Sequence, residues 1–168
     1  MRQTTISFET KPLQSCIKLT QMIDTVCFPK EMWLGGEELE LLLQHNAEAT
    51  ILTFDGIAIG QAITLTEASA SVILEESDTE FQIHAGGVYS YSEAIIPSHQ
   101  NLGYGALLLH EISLRMKQRG FNSISAHVRT RHGWNVTRKQ KLHITATRLL
   151  HNFWDDPYEV MQYQYANI

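Results

Sequence analysis

Residues 95–105 of the chain, with the sequence IIPSHQNLGYG, join a segment of strand character to a segment of helical character. The start of a helix carries backbone N–H groups without partners inside the helix, together with the positive end of the helix dipole. Gly103 and Gly105 remove side chains where a backbone has to approach an anion closely. A phosphate-binding turn is one interpretation of this stretch, and the other is an ordinary strand-to-helix turn, many of which also need one or two glycines.

The segment after the turn predicts a helix over residues 104–119. Leu108, Ile112 and Met116 recur at helical spacing and form its buried stripe. Gly120 follows directly, at the position where helices commonly end. The turn thus lies between a strand and a well-defined helix.

The rest of the chain predicts strands and helices in mixed order. A first strand, two helices and a hairpin around Asp55-Gly56 precede the turn, and Asp-Gly is a strong hairpin signal. The predicted ranges are a strand at 4–8, helices at 11–26 and 35–43, strands at 50–54 and 57–65, an extended stretch at 81–96, a strand at 123–128, a helix at 135–142 and strands at 143–149 and 158–165. This order predicts an α/β sheet with helices on both faces.

Composition limits the class of protein. The 168 residues are 43% apolar and 18% charged, as in a globular protein of one domain, here residues 1–168. No apolar stretch is long enough to span a membrane and no signal peptide is recognisable, so we expect a cytoplasmic protein without a membrane partner. The net charge of −5 argues against a nucleic-acid partner.

Charge is unevenly distributed along the chain. Residues 67–80 hold five acidic and no basic side chains, and residues 129–141 hold five basic and no acidic ones. Each stretch is most simply a solvated face. The spacing of the eight histidines does not form a zinc set, so no metal is expected.

Within the turn, Gln100-x-x-Gly103-x-Gly105 resembles the signature of the GNAT superfamily of acetyltransferases, with Pro97 and the pair Ile95-Ile96 placed as in that family. The resemblance covers most of the chain. It implies a mixed, mostly antiparallel sheet of about seven strands, flanked by helices and splayed at the coenzyme site. It also implies acetyl-CoA as co-substrate, with its pyrophosphate on the turn and the basic stretch 129–141 near its phosphates. The residues implied to bind the coenzyme are Ala94, Ile95, Ile96, Gln100, Asn101, Leu102, Gly103, Tyr104, Gly105, Ala106 and Lys139.

Inside the superfamily the pattern is most similar to the N-terminal protein acetyltransferases. Phe28-Pro29 resembles their substrate-side loop, and Asn152-Phe153-Trp154 resembles their Asn-Tyr-Tyr. Aligning the two motifs places Tyr89 and His127 at the acid–base pair of one branch of that group. The resemblance therefore implies that Tyr89 and His127 are catalytic and that Phe28, Pro29, Phe153 and Trp154 bind the acceptor.

Other interpretations of these residues stay open. Glu93 shares a strand face with Tyr89, so its carboxylate is a second candidate for the base. His127 is equally interpretable as a hydrogen-bonded core residue, and Phe153 and Trp154 as core aromatic residues. A backbone N–H near Glu93 or Ala94 would meet the oxyanion.

The function expected is transfer of an acetyl group to a primary amine, either a peptide N-terminus or a small polyamine, by direct attack in a ternary complex. The acidic stretch favours a cationic acceptor if it folds over the cleft. The alternative is a catalytically silent GNAT fold that binds acyl-CoA as a sensor or interaction module, because Lys139 stands where the family usually has a tyrosine near the sulfur. We expect a monomer or a homodimer.

Overall fold

The computed structural model describes residues 4–130, 143–155 and 160–168, and in this part of the chain a seven-stranded sheet is flanked by four helices. The elements are β1 (Ile6–Pro12), α1 (Ile17–Cys27), α2 (Gly36–Gln44), β2 (Glu48–Phe54), β3 (Ile57–Thr66), α3 (Glu67–Ile73), β4 (Gly87–Ile95), α4 (Tyr104–Gln118), β5 (Ser123–Arg129), β6 (His143–His151) and β7 (Val160–Asn167). None of the described helices has the length and apolar character needed to cross a bilayer.

The strands follow the order β1-β2-β3-β4-β5-β7-β6. Ladders β1–β2, β2–β3, β5–β7 and β6–β7 are antiparallel, whereas β4 and β5 are parallel. The parallel ladder joins four residue pairs, from Gly87↔Ser123 to Ser90↔Ala126, although both strands continue beyond it. The predicted mixed, mostly antiparallel α/β fold is confirmed.

Met1–Thr64 and Ser92–Glu111 form one compact unit. Its hairpin between β2 and β3 turns at Asp55 and Gly56, whose φ values of 50° and 79° are both positive. A two-residue type I′ turn requires positive φ at both residues. The predicted hairpin is therefore confirmed, and the backbone preference of Asp55-Gly56 accounts for it. The large buried side chains of this unit are Leu13, Ile23, Leu42, Leu52, Ile59, Ile63 and Leu108.

Leu65–Tyr91 and Ile112–Ile168 form a second compact unit. Within it Gly120 follows the last turn of α4, as predicted, and has a φ of 92°. Helices often end at a residue with left-handed backbone, and glycine adopts that conformation at little cost. Its large buried side chains include Leu74, Tyr89, Ile112, Met116 and Phe153. The predicted helix at 135–142, which contains Lys139, lies outside the described residues.

Two of the five carboxylates in the acidic stretch are buried, whereas Glu75, Glu76 and Glu80 are exposed as the charge predicted. Its first residues form α3, where Thr66 caps the helix by accepting a hydrogen bond from the backbone N–H of Ser69 at 3.2 Å. Glu67 and Asp78 are buried, at 1% and 5% exposure. Both carboxylates have hydrogen-bond donors inside the protein, which offset the loss of water.

Two further boundaries differ from the sequence prediction. The extended stretch begins as a strand only at Gly87, because Gly86 adopts φ of 76° and Gly87 N–H donates to the carbonyl of His84 in a turn. The first helix begins at Ile17 because the chain up to Pro12 pairs with β2 as strand β1. A local turn decides where β4 starts, and strand pairing decides where the first helix starts.

Gly60 in β3 allows a close approach between strands within the first unit. A Cβ atom at Gly60 would lie 2.8 Å from the carbonyl oxygen of Ala94 and would collide with the side chain of Ile95. We therefore expect Gly60→Ala to lower the free energy of unfolding by about 2 kcal/mol or more in denaturant titrations, since a backbone neighbour cannot move aside cheaply.

Gly35→Ala is the matched control, because no atom lies within 4 Å of the added methyl group. It should cost less than about 1 kcal/mol, the scale of a changed helix cap. Equal losses in the two variants would show that β4 has room to shift.

Candidate active site

The turn between β4 and α4 is pinned to the strands of the first unit. Ile96 N–H donates to the carbonyl of Ile59 at 2.9 Å, and the Gln100 side-chain amide donates to the carbonyl of Ile95 at 2.8 Å. Pro97 opens a single 3₁₀ turn, Pro97–His99, between these two anchors. The predicted signature glutamine therefore fixes the conformation of its own loop.

The second half of the turn reverses the chain into α4. Asn101 and Gly103 have φ values of 62° and 91°, in the left-handed region that asparagine and glycine tolerate. Residues 100–103 are exposed, and Tyr104, Gly105 and Ala106 are half-buried at the start of α4. The backbone of the predicted phosphate turn is thus presented at the surface at the N-terminal end of a 15-residue helix.

A three-ring cluster supports this turn, and sequence reasoning missed it. Phe54 at the end of β2 contacts His99 and Tyr104 edge-on, with ring centroids 5.6 and 5.8 Å apart, and His99 lies 5.9 Å from Tyr104. Phe54 and His99 are 45 residues apart, so no local pattern links them. Upstream of the turn, Ala94 is buried, while Glu93 and Ile95 are half-buried.

In the second unit the structure brings Tyr89 and His127 together. They lie on the parallel neighbours β4 and β5, and the phenolic oxygen of Tyr89 is 2.8 Å from Nδ1 of His127. Both residues are buried. The two side chains proposed from sequence as an acid–base pair are therefore hydrogen-bonded partners.

Two charged residues that sequence reasoning missed complete this cluster. Asp78 Oδ2 lies 2.8 Å from His127 Nε2, and the Arg148 guanidinium makes a close ion pair with the same oxygen. The weak sequence signal for Asp78 was its helical spacing from buried Leu74, to whose carbonyl its N–H donates at 2.8 Å. Arg148 is 70 residues away and carries no local signal.

The charges in the cluster follow from burial and hydrogen bonding. Burial disfavours the imidazolium and lowers the pKa of His127 to about 4, despite the neighbouring Asp78. Burial also opposes ionisation of Asp78, but hydrogen bonds from Arg148 and His127 outweigh it and hold its pKa below the ordinary value. Burial raises the pKa of Tyr89. At neutral pH the cluster contains a neutral imidazole, an ionised carboxylate and a neutral phenol.

An aromatic wall continues from His127 to the surface of the second unit. Phe153 stacks on His127 at 4.3 Å, Trp154 lies 4.6 Å from Phe153, and Tyr91 lies 5.8 Å from Trp154. Phe153 is 2% exposed and Trp154 40% exposed. One predicted acceptor residue is thus core, and its neighbour faces solvent.

The backbone around this wall is unusual. Asn152 and Trp154 have φ values of 56° and 52°. Asparagine tolerates this region, but for tryptophan the conformation costs of order 1–3 kcal/mol and is kept only where the surroundings enforce it. In this conformation Phe153 is buried and Trp154 is exposed.

The other predicted acceptor residues, Phe28 and Pro29, belong to the first unit and follow α1 directly. Trp33 Nε1–H donates to the carbonyl of Phe28 at 2.9 Å, and Asp24 accepts the backbone N–H of Leu34 at 2.6 Å. These two bonds close residues 28–34 into a fixed loop in which Phe28 is half-buried and Pro29 exposed.

Known structures share this architecture. A protein from Desulfovibrio desulfuricans described as an acetyltransferase of the GNAT family superposes with a TM-score of 0.65 at 18% identity, over 97% of this chain and 99% of that one. The ribosomal-protein-S18-alanine N-acetyltransferase of Escherichia coli gives 0.66 at 13% identity, over 98% and 93%. The chain has the GNAT acetyltransferase fold.

A third GNAT-fold structure, Naa50 of Arabidopsis thaliana in complex with the bisubstrate analogue CoA-Ac-MVNAL, gives a TM-score of 0.65 at 14% identity, over 95% of this chain and 97% of that one. No protein-family model and no curated protein matches the sequence. At these identities the likeness establishes the GNAT fold, and the chemistry has to be argued from the residues of this chain.

The lowered pKa of His127 predicts a pH-dependent stability. An imidazole with a pKa near 6.5 in the unfolded chain and about 4 in the folded one favours folding only while it is neutral. This stability is complete above about pH 6.5 and is lost as pH falls towards 4, by about 3 kcal/mol in total. Urea titrations across this range should show the loss in the wild type and a flatter profile in His127→Gln. Parallel profiles would mean that His127 is not buried as a neutral imidazole.

Proposed function

We propose that residues 1–168 form one catalytic domain that transfers an acetyl group from acetyl-CoA to a primary amine by direct attack in a ternary complex. The observation that carries this proposal is the hydrogen-bonded pair Tyr89–His127, at the two positions that the GNAT resemblance assigns to acid–base chemistry. The GNAT fold supports acetyl transfer in general. The pair adds a route for the amine proton.

The proposed coenzyme site is the turn of residues 100–106. Its exposed backbone, the positive φ at Gly103 and the start of α4 offer N–H groups and a helix dipole to the pyrophosphate. The anchors from Gln100 and the Phe54 cluster hold that backbone in place before the ligand arrives, which lowers the ordering cost of binding. Lys139 is proposed as a further coenzyme contact from the sequence resemblance alone.

The proposed chemistry needs a neutral amine and a place for its proton. Attack of the amine nitrogen on the thioester carbon forms a C–N bond and breaks the C–S bond, and coenzyme A leaves as a thiolate. The Tyr89–His127 pair is proposed to take the amine proton, directly or through one water, and to return a proton to the thiolate. Glu93, half-buried on β4, remains the alternative base.

The proposed acceptor is a peptide N-terminus in preference to a polyamine. Because His127 has a pKa of about 4, it is a weak base that suits an amine already partly neutral. At pH 7 about one-tenth of an α-amino group with a pKa near 8 is neutral. For an alkyl amine with a pKa near 10.4, the neutral fraction is below about 0.1%. The exposed ring of Trp154, which packs on Phe153, supplies a surface for the first side chain of a peptide.

One observation favours the silent alternative, an acyl-CoA-binding module without catalysis. Both ring nitrogens of His127 have protein partners and the ring is buried.

Acetyl-CoA consumption measured over a panel of peptides with different first residues and of small polyamines separates the two functions. Coenzyme binding without turnover of any amine would favour the silent module.

The coenzyme site predicts the effect of Gly103→Asp. The substitution places a negative charge on the proposed pyrophosphate turn, so calorimetry should show acetyl-CoA affinity reduced more than about tenfold. Gly120→Asp is a close control, because Gly120 also has a positive φ of 92° and open space around it, but lies at the opposite end of α4. If both variants bind acetyl-CoA like the wild type, the turn is not the coenzyme site.

The strained backbone at Trp154 predicts that Trp154→Gly lowers activity while leaving stability nearly unchanged. Glycine accepts φ of 52° without cost, so the relief of strain should offset the lost packing on Phe153 and keep the free energy of unfolding within about 1 kcal/mol of the wild type. The acceptor KM should rise about tenfold or more, with the acetyl-CoA KM little changed. An equal rise in both KM values would identify Trp154 as packing only.

A further inference from the structure

Both oxygens of the Asp78 carboxylate accept hydrogen bonds from donors of the second unit. One oxygen, Oδ2, accepts from His127 Nε2 and from the Arg148 guanidinium, and the other, Oδ1, accepts from the backbone N–H of Glu80 at 3.1 Å. The side chain of Asp78 is 2% exposed. Its orientation is therefore fixed, and it can act on His127 only as an acceptor.

Arg148 is held in turn by an aromatic ring. Its guanidinium carbon lies 4.7 Å from the centroid of Tyr163, the distance of a cation–π contact. The ion pair compensates the buried charge of Asp78, which an isolated carboxylate could not retain. Arg148 thus keeps Asp78 ionised.

An ionised Asp78 fixes the tautomer of His127. Because the carboxylate only accepts, Nε2 of the neutral ring carries the proton, and Nδ1 presents its lone pair to Tyr89. The phenol of Tyr89 must then be the donor of that 2.8 Å bond. Among the described residues, titratable side chains that contact this cluster include Arg148, Tyr163 and Tyr91, and Phe81 and Phe153 cover the imidazole ring.

We propose that Asp78, supported by Arg148, is a positioning residue that holds His127 with its Nδ1 lone pair on Tyr89 and so makes the Tyr89 phenolic oxygen the point of proton exchange. The proposal rests on the proposed acetyl transfer. His127 therefore does not take the proton from the amine directly, because both of its ring nitrogens already have hydrogen-bond partners in the protein.

The proton moves in one balanced step. As the C–N bond forms, one water passes the amine proton to the oxygen of Tyr89, which is only 1% exposed. The proton already on that oxygen passes to His127 Nδ1, and the imidazolium is stabilised by Asp78. The C–S bond then breaks with its electron pair on sulfur, and the reverse shift delivers one proton to the thiolate. A concerted shift avoids a phenolate, which burial of Tyr89 disfavours.

The first test reads the tautomer directly and needs no activity. ¹⁵N-detected NMR of the histidine rings in the full-length protein at pH 7, with the His127 signals identified by their loss in His127→Gln, should show Nε2 protonated and Nδ1 unprotonated. In Asp78→Ala no acceptor is left at Nε2, so the ring should lose its preference for the Nε2-protonated form. Protonated Nδ1 in the wild type would overturn the proposal.

The second test measures acetylation of the best peptide from the panel. Asp78→Asn should lower kcat by about 10²- to 10⁴-fold with both KM values nearly unchanged, because a neutral amide no longer stabilises the imidazolium that forms when His127 takes the proton. Glu76→Gln, an exposed neutralisation in the same acidic segment, should leave kcat unchanged. If Asp78→Asn fails to fold, Arg148→Gln serves instead and should lower kcat at least tenfold.

The outcomes separate the two levels of inference. The predicted tautomers together with full activity in Asp78→Asn, or in Arg148→Gln where Asp78→Asn does not fold, would overturn the positioning role and leave the acetyltransferase function standing. The predicted tautomers in a wild-type protein that acetylates no amine would overturn the proposed function, and the proton route with it. The predicted tautomers with a selective loss of kcat would establish both.

Discussion

Strand β4 is fixed near each of its ends by a contact that leaves no space for a side chain. Near its C-terminal end, the backbone of Ala94 lies against Gly60 of β3. At its N-terminal end, a Cβ atom on Gly87 would overlap the carboxylate of Glu67. In the second unit the contact at Gly87 fixes β4 two residues before Tyr89, and in the first unit the contact at Gly60 fixes its end ahead of the segment that leads to the turn. Glycine is needed here for close approach and not for its backbone freedom.

The two buried carboxylates of the acidic segment are stabilised in different ways. Glu67 is held by neutral donors, accepting from Ser125 Oγ and from the backbone N–H of His84, both at 2.6 Å. Asp78 has a full ion pair with Arg148 in addition to His127. The first arrangement fastens the start of β4, since it ties the turn before the strand to β5. The second arrangement places a charged pair beside one imidazole, and charged groups that perturb a buried titratable side chain are typical of functional sites.

The sequence predicted the features that depend on local chemistry. The Asp55-Gly56 hairpin, the stop at Gly120 and the strand–turn–helix around Gly103 each follow from the backbone preferences of one or two residues. Through the resemblance it also singled out Tyr89 and His127, which the structure places in hydrogen-bond contact, and their catalytic role stays a prediction. It could not predict that Asp78 is buried, because charge composition describes a segment and burial is decided by partners such as Arg148, 70 residues away. Nor does any residue preference predict Trp154 at positive φ, since that conformation is imposed by the surroundings.

The state of His127 explains why a carboxylate and an arginine are both needed. With Asp78 alone, the carboxylate would raise the pKa of the imidazole and hold it as a charged pair, which accepts no further proton. With Arg148 on the same oxygen, part of that negative field is cancelled, and burial then keeps the ring neutral down to about pH 4. In the proposed tautomer, the cluster keeps an empty proton site at Nδ1 across the physiological pH range, while the carboxylate remains close enough to stabilise a transient imidazolium. The same tautomer gives the buried phenol of Tyr89 an acceptor for its proton.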